Sequence, residues 1–158
     1  MKFEEISNEA WVKETDNLVP YDAIQIPTRG TKHSAGYDFY STVETWLRPG
    51  EEVLIPTGIK FDCDTDKFLM IVPRSGLGFK YGTMLANSVG VIDADYYNNS
   101  NNEGHIWVKL TIPNNKWSQE VHIHVGDRIC QGIIVPYYTV ENDDAKTTRN
   151  GGLGSTDK

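Results

Sequence analysis

What most restricts the fold of this chain is a series of short apolar segments, each of which stops at a turn before it reaches helical length. Val121-His122-Ile123-His124-Val125 alternates with period two, and Ile106 to Ile112 does so with one wet face. Phe68 to Val72 is a continuous apolar run ended by Pro73 and reads as a buried strand, and Val53-Leu54-Ile55 and Ile133 to Tyr137 add two more. Pro49-Gly50, Pro56-Thr57-Gly58, Pro113-Asn114-Asn115 and Gly126-Asp127 separate them. Many short strands at close spacing predict an all-β barrel or sandwich rather than alternating strand–helix units. Helical pattern is confined to Asn8 to Asp16 around Trp11 and a turn or two from Ser75 to Tyr81.

At 158 residues the chain has the size of one domain with a substantial core. The predicted division is a β domain over 1–146, carrying an N-terminal extension over 1–22, and a glycine-rich lid over 147–158. No apolar run approaches the ~20 residues of a membrane span. The start, Met1-Lys2-Phe3-Glu4-Glu5-Ile6, lacks the basic and apolar regions of a secretory signal, so a cytoplasmic location and no membrane partner are expected. The net charge of -7 and the absence of a Lys/Arg cluster argue against a nucleic-acid partner. Cys63 and Cys130 are far apart and outside any Cys-x-x-Cys spacing, which predicts two reduced, packed thiols.

Five segments carry groups suited to chemistry, and four of them have a plainer structural reading. Pro73-Arg74-Ser75-Gly76-Leu77-Gly78 places a guanidinium, a hydroxyl and backbone N–H groups after a strand, as phosphate binding requires; it reads equally as a strand-to-helix turn with Ser75 as N-cap. Gly126-Asp127-Arg128 opens a strand bearing Gln131, or is a hairpin turn in which Asp127 bonds its own backbone. The tail from Arg149 through Gly151-Gly152-Leu153-Gly154-Ser155-Thr156 suits wrapping of phosphates, or is a frayed terminus. In Gly90-Val91-Ile92-Asp93-Ala94-Asp95-Tyr96, Asp93 and Asp95 share a face unless the chain turns there; they suit metal binding, acid–base work or a solvated strand end. Ala35-Gly36-Tyr37-Asp38 offers a carboxylate beside a glycine. His122 and His124 have a chelating spacing on one strand face, but no third ligand stands near them in sequence and no metal site is predicted there. Nucleophile-elbow, phosphate-loop and dinucleotide fingerprints are absent.

Taken in order, these five segments resemble the five motifs of the trimeric dUTP diphosphatase (dUTPase) family, over about Ile26 to Thr156. The resemblance implies a jelly-roll-like, β-clip subunit, a homotrimer with active sites at subunit boundaries, and Mg²⁺-assisted hydrolysis of dUTP to dUMP and pyrophosphate. That activity lowers dUTP and supplies dUMP for dTMP synthesis. By position, Asp93 matches the aspartate that activates water for attack on the α-phosphate, and Tyr96 the tyrosine under deoxyribose. Asn87, with the backbone of Gly90, Val91 and Ile92, matches the uracil-recognising hairpin. Arg74, Ser75, Gly76 and Gln131 match phosphate contacts, and Asp38 matches a supporting position that reaches Mg²⁺ only through water. Arg149, Leu153, Gly154 and Ser155 match the closing tail, although Leu153 replaces the usual phenylalanine over the base and Arg149 stands one residue nearer the glycines. An aspartate is intrinsically a feeble base, so its value there lies in holding water in line with phosphorus.

The loop Asn98-Asn99-Ser100-Asn101-Asn102-Glu103-Gly104 is longer than the usual continuation of the third motif and resembles members from Gram-positive bacteria and their phages. It has no apolar anchor and is expected to be a tolerated surface insertion. A phage member implies an additional protein partner beside dUTP and dUMP. Two other readings compete. A dCTP deaminase shares the fold but needs a glutamate in the third motif, and a non-catalytic trimeric module has no need to keep Asp93, Tyr96, Arg74 and Gln131 together.

Overall fold

The computed structural model describes residues 1–147. Its strands are β1 (Lys2–Glu5), β2 (Thr28–Arg29), β3 (Tyr37–Tyr40), β4 (Thr45–Leu47), β5 (Glu52–Pro56), β6 (Ile59–Asp62), β7 (Lys67–Pro73), β8 (Met84–Leu85), β9 (Gly90–Ile92), β10 (Trp107–Thr111), β11 (Val121–Ile123) and β12 (Arg128–Pro136). The helices are α1 (Asn8–Thr15) and α2 (Ser75–Tyr81). The largest sheet has the order β2-β3-β12-β7-β9, a second runs β5-β10-β8, and β1-β6 and β11-β4 are two-stranded pairs, all antiparallel. This is the all-β class that the strand rhythm predicts, in the jelly-roll form that the resemblance implies.

Alternation decides which side chains fill the interior. In β10, Val108 and Leu110 are buried while Lys109 between them is exposed; in β11, Val121 and Ile123 are buried and His122 is turned outward. The run in β7 does not behave as a strand buried on both faces. Leu69 and Ile71 are buried, whereas Phe68, Met70 and Val72 stay partly open, so an apolar composition conceals an alternating strand with one incompletely covered face.

The N-terminal segment belongs to the core. β1 pairs with β6, Ile6 is fully buried, and Trp11 of α1 is 1% exposed with its indole N–H donating to Val19 O at 2.7 Å. Ser7 caps α1 through its hydroxyl, which accepts from the Ala10 N–H, and Asp16 ends the helix in the left-handed conformation. Cys63 and Cys130 are free thiols, and complete burial pushes that of Cys130 well up from its ordinary value. No helix among the described residues is long and apolar enough to cross a membrane.

Candidate active site

Asp38, Arg74 and the pair Arg128 and Gln131 stand far apart in sequence, and the register of the large sheet gathers them. On β12, Gln131 is paired with Asp38 of β3 on one side and with Val72 of β7 on the other, so the ends of three strands meet. A bulge between Arg128 and Cys130 re-aims Arg128 relative to the strand. Arg74 follows the last residue of β7 and stands at the N-cap of α2 with no side-chain cap; Ser75 is therefore the first helical residue, exposed, and not the N-cap.

Asp38 organises the cluster. Its carboxylate is nearly buried, with Oδ1 2.8 Å from Arg74 Nε and Oδ2 3.5 Å from Arg128 Nη1. Two guanidinium groups therefore share one acid, and the group as a whole keeps a positive charge. Gln131 donates from Nε2 to Pro73 O at 3.1 Å, which locks its side chain toward the same place. Gly36 lies so close that a Cβ there would collide with the Gln131 amide, leaving glycine as the residue that fits. With Gly30, Thr31 and Ser34 these groups line an open cavity of about 300 Å³. Arg128, Gly30, Thr31 and Ser34 were not among the site residues expected from sequence; the Gly-Asp-Arg turn signalled Arg128, while the other three are placed by the β2–β3 connection.

A second cavity, about 420 Å³ and mostly apolar, is lined by Asn87, Gly90, Val91 and Ile92 together with Leu54, Leu85, Trp107 and Lys109. The hairpin predicted to bind a base thus borders a recess of suitable size. Asn87 and Val91 are exposed, and Gly90 packs tightly on Ile71 across the β7–β9 pair. In a single chain this recess and the arginine cavity have no lining residue in common.

Asp93 follows β9 directly and caps a 3-10 turn over Ala94–Tyr96, its carbonyl accepting from the Tyr96 N–H at 3.1 Å. The chain turns there, so strand alternation ends at Asp93 and the shared face predicted for Asp93 and Asp95 does not form as a strand face. Asp93 is half-buried and Asp95 exposed. Tyr96 is 4% exposed; its hydroxyl donates to His105 O at 2.9 Å and accepts from Asn102 Nδ2 at 2.9 Å. Its hydroxyl is therefore committed to the loop that follows it.

The asparagine loop holds that tyrosine and differs from the expected surface insertion. Asn99 is buried, donates to Tyr96 O and Asn102 Oδ1, and accepts from the backbone N–H groups of Asn101 and Asn102. Gly104 closes the loop at φ +84°, where a Cβ would lie 2.6 Å from Tyr96 O. Amide side chains take the place of an apolar anchor by satisfying backbone groups that a buried loop would otherwise leave unpaired. Glu103 accepts from the Ser7 hydroxyl and N–H and from Lys60, and Lys13 donates to Asn101 O, so the loop also docks α1. Arg149, Leu153, Gly154 and Ser155, with all of the predicted lid after Thr147, lie outside the described residues.

The dUTPase family model matches residues 22–157. The deoxyuridine 5'-triphosphate nucleotidohydrolase of Lactococcus lactis is 44% identical over 135 residues, spanning 84% of this chain and 88% of its own. Among solved structures, the dUTPase from Streptococcus mutans has a TM-score of 0.70 at 37% identity, covering 90% of this chain and all of that one. A D95N dUTPase from phage phi11 of S. aureus, described with a coordinated structural Mg(II) ion, has a TM-score of 0.67 at 20% identity over 92% of this chain and 96% of its own, a likeness of fold. With a family match across most of its length and a relative at 44% identity, this chain belongs to the dUTPase family.

Proposed function

We propose that this chain hydrolyses dUTP to dUMP and pyrophosphate by attack of a water held by the Asp93 carboxylate on the α-phosphate. The observation that carries the reading is the arginine cavity: Asp38 aims Arg74 and Arg128 at one place, beside Ser75 and Gln131. Preorganised cations there stabilise charge on the transferring phosphoryl group and on the leaving pyrophosphate, and they do so without reorganising during the reaction. Asp93 acts through position, taking a proton from a water fixed in line with phosphorus. Asn87 and the backbone of Gly90, Val91 and Ile92 bind uracil in the apolar recess, and Tyr96 supports the deoxyribose.

The working enzyme is a homotrimer on this reading. The base recess and the phosphate cavity have no lining residue in common within one chain, and in the trimer apposing subunits would bring one chain's recess to another's arginines. Phe79, Trp117 and Tyr138 are 95%, 79% and 94% exposed, apolar surface suited to covering by other subunits.

Mg²⁺ fits the donor set in one form. Both oxygens of Asp38 face guanidinium groups, and among the described residues the one group of three side chains placed to share an ion contains two histidines. A hard cation that keeps several waters would instead be held by the triphosphate, with Asp38 the one carboxylate among the described residues that lines the arginine cavity and could reach it through water, and it would supply neutralisation of phosphate charge.

Hydrolysis of dUTP in ¹⁸O-water tests the chemistry. Label is expected in dUMP and absent from pyrophosphate. Label in pyrophosphate would move the attack to the β-phosphate, and ammonia from dCTP with no pyrophosphate from dUTP would make the chain a deaminase.

A further inference from the structure

The antiparallel pair β4–β11 presents a face that the dUTPase reading does not use. Val121, His122 and Ile123 pair with Leu47, Trp46 and Thr45, so the outward positions on the two strands are Trp46 and His122, followed just beyond the paired residues by Glu44 and His124. Sequence spacing revealed the two histidines, and the cross-strand register supplies the third group.

We propose that Glu44, His122 and His124 form a binding site for a transition-metal ion of the Zn²⁺ class. Glu44 Oε1 lies 3.0 Å from His122 Nε2 and 3.8 Å from His124 Nδ1, and the three donor atoms all fall within 4.8 Å of one another. Donors each about 2 Å from a shared ion stand roughly 3 to 4 Å apart, so a small rotation of the solvent-exposed Glu44 and His124 side chains completes the set. Two features hold the histidines in place. The His122 ring stacks flat on Trp46, with centroids 4.3 Å apart and planes 4° apart, and the backbone N–H of His124 donates to Asp127 Oδ2 at 2.8 Å.

The donor chemistry selects the ion. Two imidazoles and one carboxylate suit Zn²⁺, Ni²⁺, Co²⁺ or Cu²⁺, whereas Mg²⁺ prefers an all-oxygen shell. Three protein ligands leave a further position for water or an exogenous donor. The ion links the two strands of a two-stranded pair, which has little stability of its own.

Calorimetric titration of the tag-free full-length chain with ZnCl₂ in excess Mg²⁺ tests the site. One saturable Zn²⁺ per chain is expected, accompanied by a change in tryptophan fluorescence that is absent in Trp46→Phe and by a rise in Tm. Loss of an outer partner alone weakens metal sites roughly 10- to 100-fold, so His122→Ala, His124→Ala and Glu44→Gln should each weaken Zn²⁺ binding at least about tenfold. Circular dichroism confirms that each variant is folded, and Glu44→Gln, nearly isosteric and exposed, stands in if a histidine variant is not. Absence of saturable binding, displacement of Zn²⁺ by Mg²⁺, or unchanged affinity in the folded variants would overturn the proposal.

Discussion

His105 should make the stability of this protein depend on pH in a way that one substitution abolishes. The side chain is fully buried, its Nε2 accepts from the Gly58 N–H at 2.9 Å, and the Trp11 and Trp107 rings pack against it. Burial lowers its pKa from an ordinary 6.5 to about 3. The Glu14 carboxylate, 3.5 Å from Nδ1, opposes that shift, but it is itself bonded to the Trp107 indole N–H. Because the folded value lies below the unfolded one, the stabilisation is complete above pH ~6.5 and is lost as pH falls, when only the unfolded chain takes up the proton. A pH of about 5 lies roughly 1.5 units below the unfolded histidine's ordinary value of 6.5, a loss of about 2 kcal/mol relative to about pH 8. His105→Gln keeps a neutral acceptor and removes the titration. Urea unfolding of both proteins, at equal chain concentration and at both pH values, should show the wild type losing about 2 kcal/mol more than the variant. Parallel losses would refute the argument and mean that His105 titrates alike in the folded and unfolded chains.

Two further outcomes follow from the contacts at the site. Asp38→Asn removes the charge that aims Arg74 and Arg128, and turnover of dUTP should fall by roughly 10²-fold, as small misplacements of catalytic groups do. Both arginines reach solvent, so the melting curve should move by no more than about 1 kcal/mol; a collapse of stability would make Asp38 a core residue instead. Asn102→Ala removes one of the hydrogen bonds of the Tyr96 hydroxyl, costing about 1–2 kcal/mol of stability. Discrimination between dUTP and UTP should relax in steady-state assays of that variant, and unchanged discrimination would separate the loop from the sugar site.

Much of the fold was legible because alternation and turns are local signals. Val121 to Ile123 and Trp107 to Thr111 became strands where period two predicted them, and Asn8 to Thr15 became a helix. Burial was harder to read: Met70 and Val72 look like core residues in sequence but sit on a face the chain covers incompletely. At the candidate site, motif order singled out Arg74, Gln131 and Asp38, which line one cavity, whereas the placement of Arg128 there depends on a bulge. The loop 98–104 misled for a physical reason. It is stabilised by amide hydrogen bonds among Asn99, Asn102 and Tyr96, which leave no mark in hydropathy. Glu44 was invisible beside His122 and His124 because strand register, not spacing, brings it there.

The role of Asp93 is the centre of the account, and Asp93→Asn tests it most directly. Asparagine keeps the size of the residue that follows β9 and removes the basic oxygen. With trimer formation and binding of a non-hydrolysable dUTP analogue measured alongside, kcat should fall by about 10²- to 10⁴-fold while affinity stays within a few-fold. A kcat within about tenfold of the wild type, with affinity intact, would show that another group activates the water.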